Sequence, residues 1–220
     1  SWSRQNITRA SKCLLVVATC LLMSYRSAEQ QPSYELVKKV EGEFTKCAVD
    51  NLGNIYAVVG DVLRKYNPDG TFFKDFNSKT FGTIEYIDAT NAMKPLVFYK
   101  DFFNAVFLDN TLSQNSQVLD LVELGFQQPI SVCTSHDGGI WVFDRLSQEL
   151  VRLDQQMKVT NNSGNLAQLT SKNLNPSHLV QHNNYVYLHD EEQGVFLFDI
   201  FGNYQKKLPV YFKSSMQIIE

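Results

Sequence analysis

Glycine, proline, cysteine and long apolar runs are all scarce in this chain. Its 220 residues include 11 glycines, 6 prolines and 4 cysteines, and the apolar run Cys13–Met23 is 11 residues long. So little glycine and proline excludes a collagen-like chain and a largely disordered one. The composition is otherwise 44% hydrophobic and 12% aromatic, which is rich enough to build a packed core.

Acidic residues outnumber basic ones in most of the sequence. Residues 1–28 carry four cations and no anion, so residues 29–220 hold 16 basic and 23 acidic side chains, a net charge of −7. Proteins that bind nucleic acid neutralise its phosphates with clusters of Lys and Arg. The charge therefore argues against nucleic acid as a partner.

The N-terminal segment has the layout of a secretory signal peptide. Cations precede the run Cys13–Met23, and the polar stretch Ser24–Ala28 follows it. A membrane-spanning helix needs about 20 apolar residues, whereas a basic stretch, a short apolar stretch and a polar stretch are typical of a signal peptide. We predict a signal peptide over residues 1–28, no transmembrane span in the mature chain 29–220, and export to the periplasm or outer membrane.

A lipoprotein signal is the alternative for the same segment. It would use Val17, Ala18 and Thr19 before Cys20 and would attach a lipid anchor to that cysteine. Thr19 fits this pattern poorly, and the apolar run continues past Cys20. Ordinary cleavage after Ala28 is therefore preferred, with lipidation of Cys20 kept as the second interpretation.

Two landmarks recur along the chain with a common period. The first is an aromatic residue in an apolar strand that follows a short turn, with intervals of 42, 43 and 46 residues. The second is an Asn or Asp that ends the next apolar strand, with intervals of 42, 45 and 45 residues. The first landmark is Tyr56, Phe98, Trp141 and Tyr187, and the second is Asn67, Asp109, Asp154 and Asp199. Two landmarks that keep one period indicate a repeat protein.

Each repeat predicts four short strands, and only the signal segment has a plausible helix. In the first repeat the strands cover Thr45–Asp50, Asn54–Val59, Val62–Tyr66 and Phe72–Phe76. Four antiparallel strands in about 40–50 residues match one blade of a β-propeller. We predict an all-β propeller of about five four-stranded blades, starting near residues 44, 82, 129, 176 and 214. Its core is predicted to contain Ile55, Tyr56, Leu96, Phe98, Ile140, Trp141, Val186 and Tyr187.

The repeat motifs carry a family resemblance. They read D-x-x-G-N-I-Y over Asp50–Tyr56, L-x-K-Y-x-P-D-G over Leu63–Gly70 and L-F-D-I-F-G over Leu197–Gly202. In these repeat motifs the chain resembles extracytoplasmic bacterial propellers of the NHL and YncE type, and it is similar to small envelope propellers of Bacteroidota. The resemblance covers residues 34–220. It implies an envelope protein as partner, and an accessory of that phylum's type IX secretion as one specific form of the function.

The last blade is expected to be cut short in this chain. Ser214–Glu220 resembles the first strand of a fifth blade, and Tyr34–Val40 resembles Tyr204–Val210, the outermost strand of the fourth. The ring would close if the N-terminal segment supplied the outer strand of the last blade, because this pairing removes an exposed sheet edge.

The cysteines and histidines of the mature chain suggest neither a disulfide nor a metal site. Cys47 and Cys133 fall on equivalent inner strands of repeats that are not adjacent, farther apart than the roughly 5.5 Å between Cα atoms that a disulfide needs. We predict that both are buried free thiols. His178 and His182 have the spacing of ligands on a helical turn, but their neighbours favour a strand, on which they would lie about 13 Å apart. We predict no metal and no cofactor.

Three repeats place an aspartate three residues after the first landmark, namely Asp101, Asp144 and Asp190. On a propeller they would share one face, at the turn between the second and third strands. They are predicted either to form an acidic rim for a cation or a basic partner, or to close their own turns by accepting hydrogen bonds from backbone N–H groups.

Apolar residues occupy two of the predicted turns. Phe102 and Phe103 lie in one, and Ile200 and Phe201 lie in another. Clusters of exposed apolar groups mark contacts with partners, although Phe201 has the alternative of folding back over the adjacent blade. The polar segment Asn161–Asn175 is longer than its counterparts and predicts a mobile loop, of the kind that often carries binding function.

No catalytic constellation is recognisable, and we predict no catalytic residues. Ser135, His136 and Asp137 are adjacent in sequence, whereas the members of a triad converge from different parts of a fold. We predict a non-catalytic envelope scaffold that presents one face of turns to a protein partner. Its contact residues are Phe102, Phe103, Ile200 and Phe201, with polarity set by Asp101, Asp144 and Asp190. The alternative is a propeller enzyme of the lactonase or sugar dehydrogenase type, with a site at the propeller axis.

Overall fold

A computed structural model describes residues 39–213, which lie in one compact unit. These residues form sixteen strands and one short helix, α1 (Leu166–Thr170). The strands are β1 (Lys46–Val49), β2 (Ile55–Val59), β3 (Val62–Tyr66), β4 (Phe72–Phe76), β5 (Ile84–Asp88), β6 (Leu96–Tyr99), β7 (Asn104–Phe107), β8 (Leu119–Asp120), β9 (Pro129–Thr134), β10 (Ile140–Asp144), β11 (Glu149–Leu153), β12 (Val159–Asn162), β13 (His178–His182), β14 (Tyr185–Asp190), β15 (Gly194–Asp199) and β16 (Tyr204–Leu208).

The strands pair in sequence order into four antiparallel sheets of four strands each. We call them blade 1 (β1–β4), blade 2 (β5–β8), blade 3 (β9–β12) and blade 4 (β13–β16). The inner strands β1, β5 and β9 lie side by side, and β13 lies beside β9. The four four-stranded sheets confirm the all-β repeat predicted from the two landmarks.

Aspartate turns explain why the second landmark recurs. Asp109, Asp154 and Asp199 each stand before the turn between the third and fourth strands of a blade. In each blade the carboxylate accepts hydrogen bonds from the N–H groups two and four residues later, as Asp199 does from Phe201 and Asn203 at 2.9 Å. The period of the sequence is therefore a period of turn chemistry.

The core lies between successive blades in three apolar clusters. Six of the eight predicted core residues are buried, and Ile55 and Tyr187 are half-buried. The cluster between blades 3 and 4 includes Trp141, Phe143 and Phe198, none of which is exposed at all. Burial of each such side chain stabilises the fold by about 1.5–3 kcal/mol, so the stacking of blades provides most of the apolar stabilisation.

The two thiols are free, but only one is buried. Cys133 lies in β9 within the cluster between blades 3 and 4. Cys47 is exposed, contrary to prediction. It pairs with Ala57, on the face of blade 1 turned away from blade 2. None of the three clusters in the described part of the chain lies on that face. Cys133 instead pairs with Trp141, the counterpart of Tyr56, so the two thiols lie on opposite faces of their blades.

The segment Asn161–Asn175 is partly regular, which corrects the prediction of a loop. It begins in β12 and includes α1, whose N-cap Asn165 accepts a hydrogen bond from the Gln168 N–H at 3.1 Å. Leu166 and Leu174 are buried in the cluster between blades 3 and 4. Two leucines among polar residues therefore anchor this segment to the core.

Several predictions concern residues outside 39–213. They are the signal peptide over residues 1–28, the lipid anchor on Cys20, the outer strand from residue 34 and the start of a fifth blade at residue 214. Within residues 39–213, no helix is both long enough and apolar enough to cross a membrane.

Candidate functional site

The blades have two faces that differ in the turns they present. Because each sheet is an antiparallel meander, the turns between second and third strands lie at one end of the blades, together with the connections from one blade to the next. We call this end the upper face. The turns between first and second strands, and between third and fourth strands, lie at the other end, which we call the lower face.

The four predicted apolar contact residues do not form one surface. Phe102 and Phe103 lie in the turn between β6 and β7 on the upper face, whereas Ile200 and Phe201 lie between β15 and β16 on the lower face. Phe102 is 61% exposed and Phe201 is 58% exposed, so Phe201 does not fold back over a blade. Phe103 packs against the cluster between blades 2 and 3.

The three predicted aspartates all bond to backbone N–H groups on the upper face. Asp101 accepts from the N–H of Thr83 at 2.8 Å and from its hydroxyl at 2.9 Å, and these bonds lower the pKa of Asp101. Asp144 and Asp190 are buried. Each accepts hydrogen bonds both from its own turn and from the connection that enters its blade. In all three blades the carboxylate joins the entering connection to its own blade.

The upper face contains a cavity of about 520 Å³ between blades 2, 3 and 4. Its apolar wall is formed by Phe98, Phe103, Pro129, Ile130 and Pro176. Its polar wall includes Glu85, Lys100, Asp190, Glu191, Glu192 and Gln193. Ligand pockets usually combine an apolar lining with a few polar groups in this way.

Exposed apolar side chains stand on the upper face beyond the predicted pair. They are Leu146 in the turn between β10 and β11, Val122 in the connection to β9 and Leu169 in α1. The sequence did not reveal them, because Leu146 and Leu169 are single apolar residues among polar neighbours and Val122 lies outside the turns within a blade. Leu146 could have been predicted as an exposed turn residue, since it follows Asp144 in a turn equivalent to the one that contains Phe102.

A second cavity, of about 390 Å³, lies where β1, β5 and β13 approach the axis. Glu85 forms ion pairs with Lys46 and with Lys100, each at 3.1 Å. Although burial acts to raise it, the hydrogen bonds from Lys100 and Lys46 hold the pKa of Glu85 below its usual value. Glu85, Ser177 and Glu191 line both this axial cavity and the upper one, so the two cavities adjoin.

Two histidines and a serine meet at the edge of these cavities. The Ser177 hydroxyl lies 2.9 Å from Nδ1 of His178 and 3.2 Å from Nδ1 of His189. Burial lowers the pKa of both imidazoles, that of His178 to about 4. The sequence did not reveal this cluster, because it depends on the pairing of His178 with His189 across β13 and β14.

His178 and His182 both lie on β13, as predicted from their neighbours. Among residues 39–213, no group of three or more His, Cys, Asp or Glu side chains is arranged to hold a metal ion.

Comparisons with known proteins give a fold but no family. No family model matches the chain, and no curated protein matches it either. Solved structures do. The WD40 domain of Neurospora crassa Pan2 is similar with a TM-score of 0.54 and 12% identity, over 76% of this chain and 50% of that one. The chain has the β-propeller fold.

Two further propellers give the same result. A streptogramin B lyase structure has a TM-score of 0.55 and 11% identity, over 74% of this chain and 54% of that one. BBS1N in complex with ARL6DN has a TM-score of 0.52 and 14% identity, over 76% of this chain and 53% of that one. This chain thus spans about half the length of each of the three structures.

Proposed function

We propose that this protein is a propeller scaffold that binds a protein partner through its upper face. The observation that carries this proposal is the cavity of about 520 Å³ between blades 2, 3 and 4, with its apolar wall and its exposed apolar surroundings. A concave apolar site beside projecting apolar side chains provides the buried anchors on which protein interfaces depend.

Phe102 and Phe103 have different roles in the proposed contact. Phe103 lines the cavity and is fixed by the core beneath it, so it presents a rigid wall. Phe102 projects from the same turn and is 61% exposed, so a partner would bury it on binding. Leu146 and Val122 extend the apolar area across blade 3.

Asp101, Asp144 and Asp190 hold the turns of the contact surface in place. Their hydrogen bonds hold each upper turn against the connection that enters the same blade. Polarity at the rim comes from Glu191 and Glu192, which are exposed on the turn between β14 and β15. The proposed partner surface therefore has an apolar projection with polar or basic groups beside it.

Ile200 and Phe201 form a separate lower-face contact in this proposal. Leu52 and Met93 are also exposed at lower-face turns, but the cavity on that face, of about 320 Å³, is lined mainly by polar residues. The upper face therefore has the stronger combination of cavity and apolar projection.

The proposed setting is the bacterial envelope, after removal of residues 1–28. The basic, apolar and polar order of that segment supports export, and the repeat style supports an envelope propeller. An accessory role in type IX secretion is the specific version of the proposal. BBS1N, a propeller of similar fold, has been crystallised in complex with ARL6DN.

The test is partner capture followed by direct binding. Tagged full-length protein is purified from its native host as wild type, as Phe102→Ser/Leu146→Ser and as Ile200→Ser/Phe201→Ser, with circular dichroism to confirm the β fold. We expect a stoichiometric partner that the upper-face variant loses and the lower-face variant keeps. The purified partner is then titrated calorimetrically against all three proteins, and equal affinities would refute the assignment to the upper face.

A further inference from the structure

Strand register brings Ser177 against two imidazoles. His178 in β13 is paired with His189 in β14, so the two rings lie on one face of blade 4. Ser177 immediately precedes β13, and its N–H donates to the His189 carbonyl at 2.9 Å. This backbone bond fixes the position from which the Ser177 hydroxyl reaches both Nδ1 atoms, at 2.9 Å and 3.2 Å.

The hydrogen-bonding capacity of these groups couples their protons. A serine hydroxyl has one proton to donate and lone pairs to accept with, so it donates to one imidazole while it accepts from the other. The His189 ring is fully buried, and its Nε2 atom has no hydrogen-bond partner among the described residues. Proton exchange by His189 therefore takes place through Nδ1, the atom that faces Ser177.

His189 is held in the state that a general base requires. The Phe212 ring stacks on it with 3.6 Å between ring centroids and an angle of 7° between the planes. This stacking fixes the orientation of the imidazole and keeps water from one side of it. Burial lowers the pKa of His189, against the opposing effect of Glu191 and Asp190, so the ring is neutral near pH 7 and able to accept a proton.

Ser177 is open to small molecules although its base is buried. Its side chain is exposed and lines both the upper cavity and the axial cavity. Lys46 and Lys213 line the axial cavity together with Glu85 and Glu191. Because Lys46 forms an ion pair with Glu85, Lys213 is the candidate cation for stabilising negative charge that develops on a substrate oxygen. Nucleophile and base thus meet at the edge of an accessible cavity that also contains a cation.

We propose that Ser177 is a reactive nucleophile, with His189 as its general base, and that it accepts acyl groups from small esters. Ser177 Oγ attacks the ester carbonyl carbon and forms a C–O bond while its proton passes to Nδ1 of His189. The bond from that carbon to the alkoxy oxygen then breaks, and the alcohol leaves with the proton. Water hydrolyses the acyl-serine in a second step. This activity is independent of the proposed partner binding.

The direct probe is an alkyl fluorophosphonate, which transfers its phosphonyl group to an activated serine oxygen and releases fluoride. Full-length protein is treated with the probe and analysed by intact-mass spectrometry and peptide mapping. We expect one phosphonyl group, on Ser177, and none in Ser177→Ala. His189→Gln should slow labelling by about 100-fold, since general-base catalysis contributes on the order of 10²–10⁴. Turnover of p-nitrophenyl acetate should decrease in parallel.

Ser135→Ala is the matched control. Ser135 is followed by His136 and Asp137 in sequence, but it is buried and its hydroxyl bonds to the Asp137 carboxylate. This variant should label at the wild-type rate. Absence of labelling at Ser177, or a His189→Gln protein that labels as fast as wild type, would overturn the proposal.

The pH profile of the wild-type protein provides a second readout that needs no variant. The charges of Glu191 and Asp190 act on the pKa of His189. Those of His189, Lys46 and Glu85 act on the pKa of His178. Because burial favours the neutral, proton-accepting form of His189, the labelling rate should change less than twofold between pH 7 and pH 8. A serine without a general base would instead react about tenfold faster per pH unit, and that result would refute the proposal even if His189→Gln fails to fold.

Discussion

The Asp88 carboxylate in blade 2 accepts two hydrogen bonds from Thr134 in blade 3, one from its N–H and one from its hydroxyl, both at 2.7 Å. Its other oxygen accepts two more from Thr90 within its own blade. Asp88 is buried, so a single side chain joins the inner strands of two blades with bonds that are stronger than those between neutral groups.

Replacement of Asp88 should weaken the junction between blades 2 and 3. We expect Asp88→Ala to lower the free energy of unfolding by about 2–4 kcal/mol, because four donors, two of them on the half-buried Thr134 of blade 3, lose a buried charged acceptor. Asp109→Ala is the control, since the Asp109 carboxylate bonds only within its own turn and to Asn115. Urea denaturation followed by tryptophan fluorescence measures both, and a cost for Asp88→Ala below that of the control would contradict the prediction.

The short helix α1 offers a paired test of anchoring. Leu166 is buried between blades 3 and 4, whereas Leu169, one turn later, is 53% exposed. Leu166→Ala should destabilise the protein by about 2–4 kcal/mol through cavity formation. Leu169→Ala should cost less than about 0.5 kcal/mol, as surface substitutions do. Thermal or urea unfolding of both variants decides the question, and similar values would show that α1 is not anchored through Leu166.

The folded protein should become less stable as the pH decreases, because of the histidines of blade 4. The folded-state pKa of His178 is about 4, below its ordinary value of 6.5, so the unfolded chain binds the proton more tightly. The stabilisation is therefore complete above about pH 6.5 and is lost as the pH falls toward 4. We expect a loss of about 1–2 kcal/mol for this half-buried group. Urea titrations at pH 7.5 and 4.5 measure it.

Variants assign that pH dependence. His178→Gln should remove much of the difference between the two pH values. His136→Gln is the control, since His136 is exposed on the turn between β9 and β10. An unchanged pH dependence in His178→Gln would show that other groups produce it.

The two thiols of blades 1 and 3 should react at very different rates. Cys47 is exposed, whereas Cys133 is buried and its pKa is raised by that burial. Since the thiolate is the reactive form, iodoacetamide should modify Cys47 within minutes in the native protein and Cys133 only in urea. Peptide mapping by mass spectrometry distinguishes the two sites, and native modification of Cys133 would contradict the structure.

The blades could be predicted because their turns are local. The carboxylates of Asp109, Asp154 and Asp199 each act within a few residues, so their spacing in sequence is also their spacing in the fold. The same holds for the apolar strand that carries each aromatic landmark. Strand bounds in blade 1 were accordingly predicted to within one residue.

Features that depend on contacts distant in sequence could not be predicted. Cys47 and Cys133 lie in equivalent inner strands but one position out of register, so they face opposite sides of their blades, and only Cys133 faces an apolar cluster. The meeting of Ser177 with His189 depends on strand register, and the separation of Phe102 from Phe201 depends on which end of a blade each turn occupies. Local sequence contains none of this information.

Asp101, Asp144 and Asp190 each bind the end of the connection that enters their blade. The position of a blade therefore does not depend on the length of the connection before it. The connections that enter blades 2, 3 and 4 cover residues 77–83, 121–128 and 163–177. Each is bound near its end by a carboxylate of the blade that it enters. The third connection is the longest and packs Leu166 and Leu174 between blades 3 and 4, yet it reaches β13 through the same kind of bond. Segments of new length and composition can therefore be inserted on the upper face while the ring of strands keeps its geometry.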